Sequence, residues 1–283
     1  MISAKVIADS IAPNGQRITT IQATHHRYIL AELNTHRVFS RNSASSRAIP
    51  VTKLLETVRT DPAMPLYYAY NQSGMQAAGR MTEAVSAACE QVILDLRDYT
   101  LQSVRTLTDL NLHKQWTNRY LEPFMWHTVI ITSTEWDNFF LQRISSLAQP
   151  EIDHLAIKIY NAMLVSKPEE IDYGQWHLPY VDGRVEELRI FLADDLVKIS
   201  AARCARVSYL TQEGTRDPEK DLEMYNKLIS ANPPHWSPLE HVATPWRPKK
   251  LKFWTKPLGN FDDWAQLRHN TLRTALSSPK GIR

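Results

Sequence analysis

Four arginines stand where the sequence suggests an anionic ligand. Arg37 and Arg47 flank a polar loop, and Arg119 precedes an aromatic-rich run. Arg143 follows three aromatic residues at helical spacing, so a helix would place it on their face. Guanidinium groups bind phosphate through paired hydrogen bonds and stay charged at any working pH. Internal ion pairs with Asp or Glu would explain these arginines equally well, because buried charges are usually paired.

The loop over residues 37–50 is rich in serine, asparagine and arginine and ends in proline. Its hydroxyl and backbone N–H groups could hold phosphates or the polar edge of a ring. The same composition is also typical of a solvated surface loop. His36, just before the loop, either contacts a ligand or caps the last carbonyls of a helix. The sequence predicts no metal site and contains no glycine-rich nucleotide-binding motif.

Hydrophobic spacing predicts the elements that would position these residues. A strand over residues 17–24 leads into a helix over 26–36, directly before the polar loop. Residues 75–100 repeat apolar side chains every three or four positions, which predicts a long helix packed in the core.

The later elements are predicted to be mainly helical. Thr132 and Glu135 form a capping-box pattern, which predicts that a helix carrying Arg143 begins at Ser133. Further helices are predicted over residues 150–163, 192–208 and 217–230.

Composition places the chain among ordinary globular proteins. Its 283 residues are 43% hydrophobic, which is enough for one large domain or two modest ones. The net charge of +3 suits an anionic small molecule and does not predict a nucleic-acid partner. Cys89 and Cys204 have no pairing motif, which favours a reduced, cytoplasmic setting. No apolar run is long enough for a membrane span, so no membrane association is predicted.

Three stretches resemble the family of flavin-dependent thymidylate synthases. Residues 35–45 (Thr-His-Arg, seven residues, Ser) are similar to its defining motif, Arg-His-Arg, seven residues, Ser, which also follows a strand and a helix. Residues 118–152, from Asn-Arg to Ala-Gln-Pro-Glu-Ile, resemble the later helices of that family. Residues 202–208 and 237–241 (Ser-Pro-Leu-Glu-His) resemble its usual N-terminal region. Here that region comes last, so the resemblance implies a permuted order of segments.

The resemblance implies an α/β (α+β) fold in which a mixed sheet is flanked by long helices. Residues 1–175 would carry the motif loop and the nucleotide-binding helices, and residues 176–283 would complete the same fold. It also implies a homotetramer with FAD at the subunit interfaces and with NADPH and methylenetetrahydrofolate as co-substrates. The reaction would be the reductive methylation of deoxyuridylate (dUMP) to thymidylate, without a cysteine nucleophile.

The resemblance further implies particular site residues. Arg143 and Ser45 would act in catalysis, with Arg143 polarising the pyrimidine. The residues that would bind the nucleotide are Glu32, Ser45, Arg47, Arg119 and Arg143. Those that would bind the flavin are His36, Arg37, Ser40, Asn42, Asn138 and His241. Catalysis would then be electrostatic, because fixed positive groups would stabilise charge that develops on the pyrimidine.

Several positions depart from the family's pattern, where charged residues or histidine are usual: Thr35, Ser43, Thr134 and Leu147. One hypothesis is that Arg268 and His269 replace the missing Arg-His pair in binding the flavin phosphates. An amphipathic terminal helix is the simpler interpretation of the same stretch, residues 263–270.

Two other functions fit the sequence. Glu32 stands where the family usually has glutamine. An acceptor-only side chain would suit a related flavin enzyme that acts on deoxycytidylate or leaves a hydroxymethyl group. From a different class, the chain could be a catalytically silent protein that binds nucleotides or nucleic acid and has kept the fold.

Overall fold

A five-stranded mixed sheet forms the centre of the protein. The computed structural model describes residues 1–182, 188, 190–207, 217–246, 259–269 and 271. The strands of the sheet are β1 Ser3–Ile11, β2 Arg17–His26, β3 Ser40–Ser43, β4 Trp126–Ser133 and β5 Glu169–Glu170. They lie in the order β3-β4-β2-β1-β5, and neighbours are antiparallel except for the parallel pair β1 and β5. A separate antiparallel pair consists of β6 Ala243–Pro245 and β7 Trp264–Gln266.

Residues 267–269 are helical, and eight further α-helices accompany the sheet in the described part of the chain. They are α1 Leu30–Asn34, α2 Val51–Thr60, α3 Glu83–Asp109, α4 Lys114–Thr117, α5 Asp137–Arg143, α6 Pro150–Leu164, α7 Ala193–Arg206 and α8 Pro218–Ser230. Short 3₁₀ helices include Arg27–Ile29, Ser46–Ala48, Asn118–Phe124 and Ser237–Glu240. The mixed sheet and long helices, 27 residues in α3 and 15 in α6, confirm the predicted α/β class.

The two faces of the sheet pack against different helices. On one face, Ile21 of β2 and Ile131 of β4 share a core with Leu155 of α6. On the other face, Ile130 of β4 packs with Cys204 and the neighbouring end of α7, because successive side chains of a strand point to opposite faces. The sheet therefore lies between α6 and α7. The domain boundary at residue 175 stays a prediction.

A second core joins α2, α3 and the 3₁₀ helix Asn118–Phe124, through residues that include Leu54, Val58, Leu101, Val104 and Leu121. The apolar repeat in the first part of α3 does not reach this core. It forms a line of side chains, here called the α3 stripe, that are between 40% and 70% exposed: Val85, Val92, Leu96 and Tyr99. The expectation of core packing is therefore wrong for this part of the helix, which extends past the elements that cover its C-terminal third.

Strand β4 continues through the residues that the capping-box pattern assigns to a helix start. Thr132 pairs with Thr20 of β2, and their hydroxyl groups lie 2.7 Å apart, so Thr132 does not cap a helix. Helix α5 begins instead at Asp137, whose backbone N–H donates to Oε1 of Glu135 at 3.0 Å. The predicted start at Ser133 is wrong, because long-range strand pairing overrides the local capping signal.

The polar loop and the later helices agree with expectation to different degrees. Part of the loop is strand β3, which pairs with β4 at the edge of the sheet. Helices α6, α7 and α8 confirm the predictions to within a few residues, and α8 is capped by the side chain of Asp217. Among the described residues, no helix combines the length and the apolar character that crossing a membrane requires.

Candidate functional site

Arg143 meets the segment that carries the motif. It is the last residue of α5, and its Nε donates to Nε2 of His36 at 2.9 Å. Its Nη2 donates to the hydroxyl of Thr35 at 3.0 Å and to the backbone oxygen of Glu32 at 3.3 Å. Arg143 and His36 are 107 positions apart in the sequence. The fold therefore brings a residue predicted for the nucleotide into contact with one predicted for the flavin.

An aromatic cluster holds the motif segment against α5. The ring of Phe39 lies 4.7 Å from that of Trp136 and 5.2 Å from that of Phe139, measured between centroids. His36 meets Phe139 edge-on at 4.9 Å. The expected aromatic face of the helix is confirmed, and it fixes the position from which Arg143 extends.

His36 is a neutral hydrogen-bond acceptor near pH 7. It is 6% exposed, and burial, followed by the charges of Arg143 and Arg41, lowers its pKa to about 4. Because Nε2 accepts the bond from Arg143, the proton of the neutral ring lies on Nδ1. Arg41 closes the same turn, since its Nη1 donates to the backbone oxygens of Leu33 and His36, both at 3.1 Å.

The positive charge of Arg143 has no counterion among the described residues. Its three acceptors are a ring nitrogen, a hydroxyl and a carbonyl, and all are neutral. Within the same residues, no hydrogen bond occupies its Nη1, which leaves two N–H donors. Glu32, whose backbone oxygen accepts from Arg143, has a buried Oε2 without a hydrogen-bond partner. A ligand that offers both an acceptor and a donor would satisfy these groups.

A second group of predicted residues lies at the turn that follows β3. The side chain of Asn118 holds this turn, because its Nδ2 donates to the backbone oxygens of Ser46 at 2.8 Å and of Ile49 at 3.0 Å. Asn118 itself is fully buried. The turn is thus fixed from its inner side.

The predicted nucleotide residues of this second group differ in their partners. Arg47 is exposed and Ser45 is half-buried, and neither side chain has a hydrogen-bond partner in the part of the chain that is described. Arg119 pairs with Glu122 at 2.7 Å, which is the internal ion pair that the alternative interpretation predicts. No hydrogen bond between described residues joins this group directly to Arg143.

Some of the predicted flavin residues are exposed, and others are buried and hydrogen-bonded within the protein. Arg37 and Asn138 are exposed. Ser40 and Asn42, which alternate along β3, are buried. The hydroxyl of Ser40 accepts from Nε2 of Gln266 at 2.8 Å, and Nδ2 of Asn42 donates to a backbone oxygen of α7 at 2.9 Å. Ser40 and Asn42 therefore tie strand β3, which carries part of the motif, to the C-terminal part of the chain.

His241 belongs to a buried chain of hydrogen bonds that crosses the sheet. Its Nδ1 lies 2.8 Å from the hydroxyl of Thr132, which lies 2.7 Å from that of Thr20. The Thr20 hydroxyl lies 2.8 Å from Nε2 of His177, whose Nδ1 lies 2.9 Å from the hydroxyl of Ser10. Burial lowers the pKa of both histidines to about 3. His241 is fully buried, so it presents no atom to a ligand in this structure.

Arg268 lies two residues after β7 and already has a partner. Its guanidinium forms an ion pair with Glu240, while its Nε is buried without a hydrogen bond. Strand β7 occupies the first half of the stretch 263–270, where the amphipathic-helix interpretation is wrong, whereas residues 267–269 are helical. The hypothesis that Arg268 and His269 replace the missing motif residues stays a prediction.

The sequence does not single out Glu122 or His177, although both occupy central positions. Glu122 follows Arg119 by three residues, a spacing that places an acid and a base on one helical face and could have predicted the ion pair. His177 lies in an irregular connection, where no local pattern distinguishes it from a surface histidine.

No group of three or more His, Cys, Asp or Glu side chains within the described ranges is arranged to hold a metal ion. A cleft of about 510 Å³ lies at the end of β1, at the opposite edge of the sheet from β3, and none of the predicted site residues lines it.

No family model matches the chain, and no curated protein matches its sequence. Among solved structures, it is similar to the UMP/dUMP methylase PolB from Streptomyces cacaoi bound with 5-Br dUMP, at 12% identity and a TM-score of 0.46, over 58% of this chain and 90% of that one. It is also similar to ThyX from Helicobacter pylori with FAD and dUMP, at 17% identity and a TM-score of 0.34, over 52% and 67% of the two chains. At these TM-scores and identities, the similarities assign no activity to this chain.

Proposed function

We propose that this chain is a flavin-dependent thymidylate synthase, which methylates dUMP reductively with methylenetetrahydrofolate and NADPH as co-substrates. The observation that carries the proposal is the contact between Arg143 and the motif segment at Thr35 and His36. Two of the three stretches that resemble the family thus meet at an arginine whose charge is unmatched among the described residues. An anionic or carbonyl-bearing ligand would complete its hydrogen bonds.

In the proposed site, Arg143 polarises the pyrimidine and stabilises the charge that develops on it. Neutral His36 orients the guanidinium through Nε without cancelling its charge. Glu32 supplies the buried acceptor for an N–H donor of the base. Ser45, Arg47 and Arg119 hold the phosphate at the turn that follows β3.

The residues present fit FAD in part. Arg37 is an exposed guanidinium without a described partner, and it suits a flavin phosphate. Asn138 is exposed and suits a polar edge of the cofactor. When bound, the flavin would supply the hydride of the reaction. Ser40, Asn42 and His241 have protein partners, so we assign them to positioning β3 and β4 rather than to direct flavin contact.

We also propose that the order of segments is permuted. The C-terminal stretches that resemble the family's N-terminal region contact strand β3, which carries part of the motif. Asn42 bonds the backbone oxygen of Cys204 at 2.9 Å, and its Oδ1 accepts from the hydroxyl of Ser237 at 3.2 Å. These contacts support an arrangement in which the same pieces meet in space despite their reversed order in the sequence.

The proposed assembly is a homotetramer with FAD between subunits, and the α3 stripe is its proposed contact surface. The stripe residues are separated by seven, four and three positions, which places them along one side of the helix. Ala88, which is also exposed on α3, adds no charge beside them, and the neighbouring carboxylate of Asp95 accepts from Nε2 of Gln91 at 2.8 Å. A side that is mainly apolar, with one carboxylate at its margin, can meet the same side of a second copy.

One observation keeps an alternative substrate in consideration. The unpartnered Oε2 of Glu32 can accept from N3–H of uracil or from the exocyclic amino group of cytosine. Identification of the products formed from dUMP and from deoxycytidylate separates the two and also distinguishes methyl from hydroxymethyl products. A catalytically silent nucleic-acid-binding protein would instead bind DNA with a steep salt dependence and would not retain flavin.

Loading the purified protein with FAD and titrating dUMP into it tests the proposal. We expect a yellow protein whose flavin absorbance shifts as dUMP binds. The Arg143→Ala variant should retain FAD but show a much weaker response to dUMP. A wild-type protein that cannot be loaded with FAD would contradict the proposed function.

A further inference from the structure

The carboxylate of Glu122 lies at the meeting point of three elements. Its Oε1 accepts from the hydroxyl of Ser46 at 2.6 Å, from Nη1 of Arg119 at 2.7 Å and from Nη2 of Arg27 at 3.5 Å. These donors come from the turn after β3, from the 3₁₀ helix that contains Glu122, and from the 3₁₀ helix that follows β2. One carboxylate oxygen therefore links segments that are far apart in the sequence.

Glu122 is also the counterion that keeps these cations together. The side chain of Arg27 is 14% exposed, and its Nη1 donates to Nδ1 of His127 at 2.9 Å. Burial, then the neighbouring His25 and Arg27, lowers the pKa of His127 to about 2, so this ring is neutral and balances no charge. Without Glu122, the two guanidinium groups of Arg27 and Arg119 would repel each other at short range.

The hydrogen bond from Ser46 to Glu122 anchors the turn at its central residue. Ser46 is almost fully buried and is held through its hydroxyl by Glu122 and through its backbone oxygen by Asn118. Its neighbours Ser45 and Arg47 keep side chains without a described protein partner. The turn is therefore anchored at its central residue, while the residues on either side remain available to a ligand.

We propose that Glu122 is a positioning residue for a phosphate site formed by Ser45, Arg47 and Arg119. The cations of Arg27, Arg47 and Arg119, with Lys114, whose Nζ donates to the backbone oxygen of Ala48 at 3.4 Å, outnumber the one carboxylate of Glu122. The excess positive charge suits a phosphate monoester dianion. Glu122 acts on the site indirectly. Its carboxylate holds Ser46 and Arg119 in place and does not itself bind the anion. The identity of the phosphate as that of dUMP rests on the proposed function.

Binding of a nucleotide and of its nucleoside separates this role from a general loss of structure. Calorimetry would compare dUMP with deoxyuridine for the wild type, for Glu122→Gln and for the control Glu56→Gln. Glu56 makes an exposed pair with Arg59 at the same three-residue spacing as Arg119 and Glu122, so the control removes a matched carboxylate elsewhere.

We expect Glu122→Gln to weaken dUMP binding by about tenfold, the usual effect of losing one charge-assisted contact, and to leave deoxyuridine binding unchanged. In turnover, the KM for dUMP should rise while kcat at saturating dUMP is kept. The control should bind both ligands as the wild type does. Equal weakening of both ligands, or of neither, would overturn the proposal.

Two further measurements keep the test decisive. If Glu122→Gln does not fold, Ser46→Ala removes one donor and keeps both arginine pairs, and it should selectively weaken dUMP binding to a smaller degree. If the wild type binds neither dUMP nor deoxyuridine, inorganic phosphate serves as the probe. Phosphate binding that Glu122→Gln weakens would keep the site and reject the proposed substrate, whereas a wild type that binds no phosphate would overturn the site as well.

Discussion

Nε of Arg143 and Nε2 of His36 are joined by a 2.9 Å hydrogen bond in which an uncharged imidazole orients a guanidinium. A carboxylate in the same place would hold the arginine as firmly but would cancel its charge. Because the pKa of His36 is lowered to about 4, the ring accepts this bond throughout the neutral range. The contact therefore directs Arg143 while leaving its charge available to a ligand.

Substitution of Arg143 should abolish most of the activity. We expect Arg143→Ala to lower kcat/KM by about a hundredfold or more, the usual effect of losing a donor that stabilises developing charge. Arg143→Lys should recover little, because an ammonium group cannot reproduce the planar fork that reaches His36 and Thr35 together. The exposed Arg105 on α3 provides the control, and Arg105→Lys should leave the rate unchanged. Wild-type activity in Arg143→Lys would show that only the charge matters.

Acid should destabilise the protein through His36. Its folded pKa of about 4 lies below the ordinary value of 6.5, so the unfolded chain binds more protons between these values. The free energy of unfolding therefore decreases as pH falls from about 6.5 to about 4. His36→Gln lacks this contribution. The excess of the wild-type free energy of unfolding over that of the variant should therefore shrink as pH falls over that range. Denaturant titrations at several pH values measure it, with the exposed His235→Gln as control.

The buried chain through Thr132 should contribute to stability more than a similar pair nearer the surface. Thr132→Val leaves the Thr20 hydroxyl with one fewer partner and Nδ1 of His241 with none, so we expect a loss of about 2 kcal/mol in the free energy of unfolding. Thr128→Val makes the same change on the same face of β4, where the hydroxyl bonds Thr24 at 3.1 Å in a half-buried position. Equal losses in the two variants would contradict the importance of the buried chain.

The α3 stripe should determine the oligomeric state. We expect the wild type to elute as an oligomer in size-exclusion chromatography with light scattering, and Leu96→Lys to shift it towards the monomer, because a charge would then enter an apolar contact. Ala87 is exposed on α3 away from the stripe, and Ala87→Lys should keep the oligomer. A monomeric wild type would reject the stripe as a contact between copies.

Much of the fold follows from local patterns in the sequence. The helix that begins at Pro150 and the one capped by Asp217 have clear start signals, and the structure contains both. The failure at Thr132 has a physical cause, because its hydroxyl and backbone are used by β2 and by His241. Those partners lie about a hundred positions away, so no window of sequence around Thr132 contains them.

The same limit applies to the candidate site. Residue types and a family resemblance indicate Arg143, Ser45 and Arg47, and the fold adds how each one is supported. Arg119 is paired with an acidic side chain, whereas Arg143 lacks a described counterion. This difference depends on which acidic side chains lie nearby in space. The sequence pattern of α3 likewise predicts an apolar side but not whether the chain itself covers it.

Identification of the nucleotide products after turnover distinguishes a thymidylate synthase from a protein that only binds flavin and nucleotide. FAD-loaded protein would be incubated with dUMP, methylenetetrahydrofolate and NADPH. The nucleotides would then be separated by chromatography and their masses determined by mass spectrometry. We expect conversion of dUMP to thymidylate, with little product from the Arg143→Ala variant. Unchanged dUMP from a wild-type protein that has bound both FAD and dUMP would contradict it.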